Sequence, residues 1–529
     1  MSIHFPRLPI KKLIEMSEMP TFRGEQNRRS KMVIGRNATW VVAQVITSTI
    51  VLFVVYYFAV RAVGVDQIGL LSILSTTAAA ARVSELGLSG AVTRFLPEHL
   101  ARGETTDAAQ VVVTATVAVG FSVGLVAILA WPAFNALVPL IIDAGLVPEA
   151  RAIIPVMLFS LWMNIVSGCV VMSLDGVNRA DRRAKITVLS HIVFAVVAIL
   201  TIGRLGIVGI PVAQAVQAAC VFLLAILSLL RELPEMKSAR PSFACFRRIW
   251  LYGAHLQLVA LLVLLYDPAT RLLLNYFGSL SAVGYFEMAT RLIGQVRSLV
   301  VSANQVMVPH YANLNITNPE TVARVVRANF QILLVVSTIV FSMLSVSSFL
   351  IGNLWIGQAD AVFIEVYMIL IIGYFANTLS AAIYFMNIGT GAALNNVTSW
   401  VVMISVNVIG GIFGGYLFGV IGVLVSVSTS LVCGSIVMFA AYSRKGNVRV
   451  GTWMSSITIR LAIAGCIVYL IAILYTVMGF PFLNGVATSF VPIGLGVLIW
   501  VLFGVGEALI VGQSPLLWVR AMIASLRLQ

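Results

Sequence analysis

Fourteen apolar stretches, each about 20 residues or longer, run through the chain at approximately 37–60, 67–95, 108–133, 150–174, 185–203, 206–230, 249–277, 281–311, 325–350, 361–388, 395–416, 419–442, 457–479 and 486–510. A helix of that length spans a hydrocarbon core of about 30 Å. Lipid offers no partner to a bare backbone amide, so stretches of this length are expected to fold as helices that satisfy their own hydrogen bonds. Composition agrees: the 529 residues are 60% hydrophobic and 10% charged, with a mean hydropathy of +1.00, where soluble domains carry about 25% charged residues. The fold class expected is an all-α polytopic membrane protein of about fourteen transmembrane helices.

The positive charges orient these helices. With the N-terminus inside, 25 of the 34 Lys and Arg residues fall in inner segments, whereas the outer loops hold Arg61, Arg151 and Arg204. Six sit at membrane depth or its edge: Arg82, Arg94, Arg271, Arg291, Arg297 and Arg460. The alternation holds loop after loop, which supports both the number of spans and cytoplasmic termini. The basic segment 1–35 has no apolar core followed by a cleavage site, so it reads as a cytoplasmic segment rather than a cleaved signal. It could lie on anionic headgroups or act as a topogenic tail.

Two stretches read alike. RAVGVDQIGLLSILS leads from Arg61 through Gly69 towards Pro97, and NYFGSLSAVGYFEMA leads from Asn275 through Gly284 towards Pro309. Each is a helix, a turn with glycine (Gly64, Gly278), a second glycine and a long descending helix. Arg82 follows Gly69 by 13 residues and Arg297 follows Gly284 by 13. The repeat divides the chain into an N-lobe at 36–230, a cytoplasmic linker at 231–248 and a C-lobe at 249–442, with a loop and two further helices at 443–510 and a tail at 511–529. A repeat of six helices returns the chain to its starting side, so two pseudo-symmetric lobes would share a site at their interface.

Charges inside the spans mark the candidate site, because an ionised side chain at the bilayer centre costs about 3 kcal/mol even on the lenient insertion scale. Asp267 and Arg271 are spaced i, i+4, as are Glu287 and Arg291, while Arg82 and Glu85 are i, i+3. Such spacings put partners on one helical face, either as self-neutralising pairs or as a polar path. The two descending helices do not balance: 67–95 carries Arg82 and Arg94 against Glu85, and 281–311 carries Arg291 and Arg297 against Glu287. The guanidinium fork matches phosphate oxygens bidentately, so symmetric arginines in an inner cavity suit a phosphate-type anion. Arg94 is either at the mouth of that cavity or a snorkelling residue. Asp267 precedes Pro268, which is expected to break or bend the span beside a titratable carboxylate, a plausible coupling site or a structural ion pair with Arg271.

Other signals are absent. Five cysteines in no CxxC spacing read as packing residues. The histidines, His99 at the inner edge among them, have no metal-ligand spacing, so no metal and no cofactor are expected. No Walker loop, nucleophile elbow, HExxH or nucleic-acid module occurs, so neither an enzyme nor a nucleic-acid partner is expected.

The stretches NATWVVAQVITS, GVDQIGLLSILS followed by SELGLSGAVTRFLPEH, LDGVNRADRRAKI, and YDPATRLLLNYFGSLSAVGYFEMATRLI followed by VPHYANL resemble the polysaccharide flippases of the multidrug/oligosaccharidyl-lipid/polysaccharide exporter (MOP) superfamily. The resemblance covers most of 36–442. It implies a cationic lumen between two six-helix lobes, alternating access, and export of an undecaprenyl-pyrophosphate-linked oligosaccharide across the bacterial inner membrane. Matched position by position, Arg82, Arg291 and Arg297 would line the lumen, with Asp267 at the acidic position of the seventh helix. The implied partners are a lipid-linked anionic glycan, membrane lipids, a polysaccharide polymerase and a chain-length regulator. Many members have twelve helices, and fourteen is similar to the longer members, the lipid II flippase type included. A cation-coupled multidrug exporter of the same superfamily and a non-transporting membrane assembly protein are the alternatives.

Overall fold

The computed structural model describes residues 20–79, 84–85, 87–177, 179–305, 307–358, 360–392, 394–446, 453, 456–477, 486 and 488–511. Among these residues every regular element is a helix. The first, α1 (Pro20–Ala79), doubles back at Gly64, where φ is 83° and nothing lies within 4 Å of the place a Cβ would take. Glycine is needed there for its backbone conformation and not for space. After α2 (Leu88–Ala101) and α3 (Thr105–Ile141) come α4 (Val147–Gly176), α5 (Ala180–Leu205) and α6 (Gly209–Glu232). Then follow α7 (Phe243–Phe277), α8 (Leu280–Gln305), the short α9 (Val308–Thr317) and α10 (Pro319–Trp355). The last helices are α11 (Ala361–Leu379), α12 (Ala381–Gly389), α13 (Leu394–Gly446), α14 (Ser456–Val477) and α15 (Phe490–Val511).

Nine described stretches are long and apolar enough to cross a membrane. Three of them reverse direction, at Gly64, at Gly206 (φ 58°) and at Gly419 (φ 61°). With those reversals counted and the charged helices α7 and α8 added, the described helices make up fourteen passes. The chain is therefore an all-helical, multi-pass membrane protein.

Two local expectations are corrected and a third is narrowed. The stretch 67–95 is not one helix: α1 ends at Ala79 and α2 begins after Gly87, whose φ of 68° is left-handed. Arg82 lies outside the described residues. The stretch 281–311 is likewise interrupted, because Pro309 sits in the first turn of α9, a position that suits a residue without an amide proton. Pro268, in contrast, does not break its span. The helix α7 continues through it, with Thr270 Oγ1 donating to Tyr266 O at 3.0 Å and Arg271 Nη1 to Asp267 O at 3.2 Å. Side-chain donors of this kind satisfy carbonyls around a membrane proline.

Helices α1 to α6 pack mainly on one another, and α7 to α13 form a second group. Small residues and side-chain hydrogen bonds hold such contacts where lipid removes most of the hydrophobic drive. Asn407 Nδ2 donates to Thr270 Oγ1 at 2.7 Å, and Tyr266 OH lies 2.8 Å from Ser430 Oγ. The last two helices pack on α10: Asn353 Nδ2 donates to Ser489 Oγ at 2.7 Å and Trp500 Nε1 to Ser342 Oγ at 3.2 Å. Arg460 on α14 bonds both carboxylate oxygens of Glu507 on α15, at 2.5 and 2.7 Å. The two groups meet along α1 and α8, and again where the start of α7 lies against α2 and α3.

Candidate substrate-binding site between the helix groups

The second glycines of the two repeats touch. A Cβ at Gly69 would lie 1.9 Å from Leu280 O, and one at Gly284 would lie 2.4 Å from Val65 O. Helices α1 and α8 thus cross backbone to backbone, which only glycine permits at these positions. Around the crossing, Ser281 hydrogen-bonds Asp66, and Gln67 Nε2 donates to Glu149 Oε2 at 2.6 Å. This end of the molecule, opposite the linker, is closed.

About one turn further along α1, the charged cluster begins. Ser72 Oγ donates to Glu287 Oε2 at 2.7 Å and accepts from Arg271 Nε at 2.8 Å. Arg271 Nη2 donates to the same Glu287 oxygen at 2.6 Å, while Arg291 Nε bonds the other oxygen. Glu287, with 4% of its side chain exposed, is therefore shared by two arginines from two helices and by a serine from the other group. Burial makes this arrangement stringent, because removing one member leaves an uncompensated charge.

Asp267 takes a looser role than its spacing suggests. Its Oδ2 is 3.8 Å from Arg271 Nη1 and its side chain is 62% exposed. Arg291 keeps 46% of its side chain exposed and stands over the Tyr56 ring at 6.0 Å. Arg297 Nη2 donates to Asn377 Oδ1 at 2.7 Å, but its buried Nε has no partner among the described residues. Tyr374 lies within electrostatic reach of both Asp267 and Arg297. Between α1, α5, α6 and α8 there is a cavity of about 50 Å³ touched by Ser72, Gln214, Glu287 and Arg291, room for a few water molecules. Within the Glu287 cluster two arginines meet two carboxylates, and Arg297, six residues beyond Arg291 on α8, adds a positive charge that no carboxylate among the described residues pairs.

Residues 34–315, more than half of the chain, match the model of the family described as polysaccharide biosynthesis protein. The chain belongs to this family. The match includes the α1–α8 crossing and the whole charged cluster except Asn377 and Tyr374. The chain matches no curated protein. Its fold is similar to that of a MATE-family multidrug resistance transporter of the MOP superfamily in an inward-facing conformation, with a TM-score of 0.66 and 14% identity over 75% of this chain and 94% of that one. It is also similar to the lipid II flippase MurJ in an inward closed conformation, with a TM-score of 0.66 and 11% identity over 90% of this chain and 99% of that one. A third likeness is to the Vibrio cholerae MATE transporter VcmN in its bent form, with a TM-score of 0.51 and 15% identity over 78% and 98% of the two chains. At these identities the likeness is one of fold, and that fold is the MOP-superfamily transporter fold.

Of the residues singled out from the sequence, Asp267, Arg271, Glu287 and Arg291 come together here, and Arg297 lies further along α8 against Asn377. Arg94 does not join them: it is exposed at the linker end, over the Phe95 ring at 5.6 Å, beside Arg248 over the same ring at 5.1 Å. Glu85 is half-buried, within electrostatic reach of Cys169 on α4. Ser72, Tyr56 and Tyr374 were not visible as site residues in the sequence, since serine and tyrosine in an apolar helix carry no charge to mark them.

Proposed function

We propose that this protein is a flippase that carries an undecaprenyl-pyrophosphate-linked oligosaccharide from the inner to the outer leaflet of the bacterial cytoplasmic membrane by alternating access. The observation that carries this reading is Arg297, a permanently charged group with a buried Nε that no described side chain satisfies. A phosphate oxygen is the partner its geometry suits. Arg291, half exposed and tied to Glu287, is the second arm of the clamp. Arg82, and Arg94 near the mouth, would extend the cationic path towards the linker end, which the charge bias places in the cytoplasm together with both termini.

The cavity of about 50 Å³ cannot take a pyrophosphate, so capture requires the two helix groups to part on the linker side. Release requires the Gly69–Gly284 crossing to open. The lipid tail would remain in the bilayer between the groups, with the pyrophosphate held at the arginines. A polymerase and a chain-length regulator are fitting recipients on the outer side. Asp267, with its exposed carboxylate, is the position at which a coupling proton or cation would act, and it favours as second reading a cation-coupled drug exporter. Drug export predicts a lumen that attracts cations, against the excess positive charge here.

Complementation of glycan export in a deletion strain tests the proposal, with membrane abundance measured for each variant. Arg297→Ala is expected to lower export tenfold or more, the loss of about 1.5–3 kcal/mol of charge-assisted hydrogen bonding, and Arg297→Lys to restore part of it. Full export by a normally abundant Arg297→Ala protein overturns the anion-capture reading.

A further inference from the structure

We propose that the first two turns of α7 are a docking surface for the anionic phospholipids of the leaflet at the linker end, with aromatic rings entering the acyl boundary and arginines holding the headgroup phosphates. The surface lies outside the charged cluster and does not depend on the flippase reading. Phe243, Phe246 and Trp250 follow one another at i, i+3 and i+7, which puts three rings on one face of the helix. Neighbouring ring centroids are 6.0 and 6.5 Å apart, and Phe246 stacks on Trp250 at an interplanar angle of 13°. Phe243 is 80% exposed and Trp250 38%. A row of rings this open is costly in water and suits a membrane interface, where aromatic side chains concentrate. Helix α3 sets its level. Thr114 stands six residues into the apolar run that begins at 108, about 9 Å past its start. Ser242 N donates to Thr114 Oγ1 at 3.1 Å, and Gln110 Nε2 donates to Arg240 O at 3.4 Å. Arg248 and Ile249, further along α7, still share a cavity of about 290 Å³ with Asp107, Gln110 and Val111. The start of α7 therefore lies beside the first turns of α3, at the level where headgroups give way to acyl chains.

Charge selects the headgroup. Arg247 is four residues after Phe243 and three before Trp250, so an exposed guanidinium stands on the same face as the rings. Arg240, just ahead of the helix, is exposed as well, and no carboxylate among the described residues pairs with either. The acids of these elements are engaged elsewhere: Arg102 holds Glu98, His99 holds Glu104, and Arg179 and Arg182 share Glu232. Asp107 lines the cavity that Arg248 lines, and Arg248 and Arg94 stand over the one Phe95 ring. Glu235 remains, against Lys237, Arg240 and Arg247. A phosphodiester offers the guanidinium two oxygens at once, and each basic residue near an anionic bilayer surface strengthens the attachment. In the sequence these arginines counted only towards orientation, because the rings that share their face are separated from one another by polar and small residues.

The test puts a photoreactive benzophenone in place of the exposed ring, as Phe243→p-benzoylphenylalanine, in the full-length protein. The protein is reconstituted in nanodiscs of equal parts phosphatidylglycerol and phosphatidylcholine, illuminated, and its adducts are weighed by mass spectrometry. Phospholipid adducts are expected, with phosphatidylglycerol favoured at least about threefold. Adding Arg240→Gln/Arg247→Gln is expected to keep the lipid adducts and bring the two lipids to parity. If that variant elutes as aggregate, Arg247→Gln alone replaces it. No phospholipid adduct at position 243 overturns the docking surface. Equal yields of the two lipids with both arginines in place, or a preference for phosphatidylglycerol that survives their substitution, overturns the selection of anionic headgroups by this face.

Discussion

Glu287 is a carboxylate with two guanidinium partners and a serine donor, buried where α1, α7 and α8 meet. Replacing it with glutamine leaves Arg271 buried without its counter-charge. Glu287→Gln is therefore expected to destabilise the protein by about 3–5 kcal/mol, seen as a lower midpoint of thermal unfolding in detergent. Ser72→Ala removes one acceptor from Arg271 while leaving the ion pair, and the expected loss is smaller, about 1–3 kcal/mol. Spacing along the helix made the Glu287–Arg291 pair legible, because both members lie on one helix. The same rule pairs Asp267 with Arg271, yet the short contacts of Arg271 go to Glu287, sixteen residues away, and to Ser72 on another helix. A buried carboxylate on a neighbouring helix outcompetes an exposed one on the same helix, and no one-dimensional spacing records that neighbour.

At the scale of whole helices, glycines decide what can approach. A Cβ on Gly422 would lie 1.9 Å from Gly414 O inside the α13 hairpin, a clash as severe as that at Gly69. The consequences differ because Gly414 and Gly422 lie within one helix group, whereas Gly69 and Gly284 lie between two. Gly422→Ala is expected to lower thermal stability in every conformation. Gly284→Ala is expected to spare stability and push the groups apart at the closed end, so that a cysteine introduced by Ser281→Cys reacts several-fold faster with a membrane-impermeant thiol reagent. Unchanged labelling would mean that the crossing is not a moving contact. Both glycines stood out in the sequence as matching members of a repeat. That they face one another did not, because repeat position fixes depth along a helix but not which helix lies alongside.

For the molecule as a whole, hydropathy and charge alternation were enough to find fourteen passes, since lipid leaves a long apolar stretch few conformations other than helix. The interruption between α1 and α2 was not legible, because its charged residues, Arg82 and Glu85, read as groups of a membrane-embedded site rather than as the end of a helix. The alternating access proposed above makes a demand on the assembled molecule: under it, the contact between Asp66 and Ser281 must break in every cycle. Bridging the Asp66→Cys/Ser281→Cys pair with a short reducible crosslinker is expected to stop export, and reductant to restore it. Continued export by the crosslinked protein would separate transport from opening at this end.

The most direct measurement reconstitutes the protein in liposomes with a polyprenyl-pyrophosphate-linked oligosaccharide and follows how fast its glycan becomes accessible to a lectin outside. The same lipid lacking the pyrophosphate serves as comparison. Transfer of the pyrophosphate lipid by wild type is expected, slowed tenfold or more by Arg297→Ala or by removal of the pyrophosphate. Transfer of both lipids at equal rates by wild type and Arg297→Ala would contradict capture of the pyrophosphate at the charged cluster between α1 and α8.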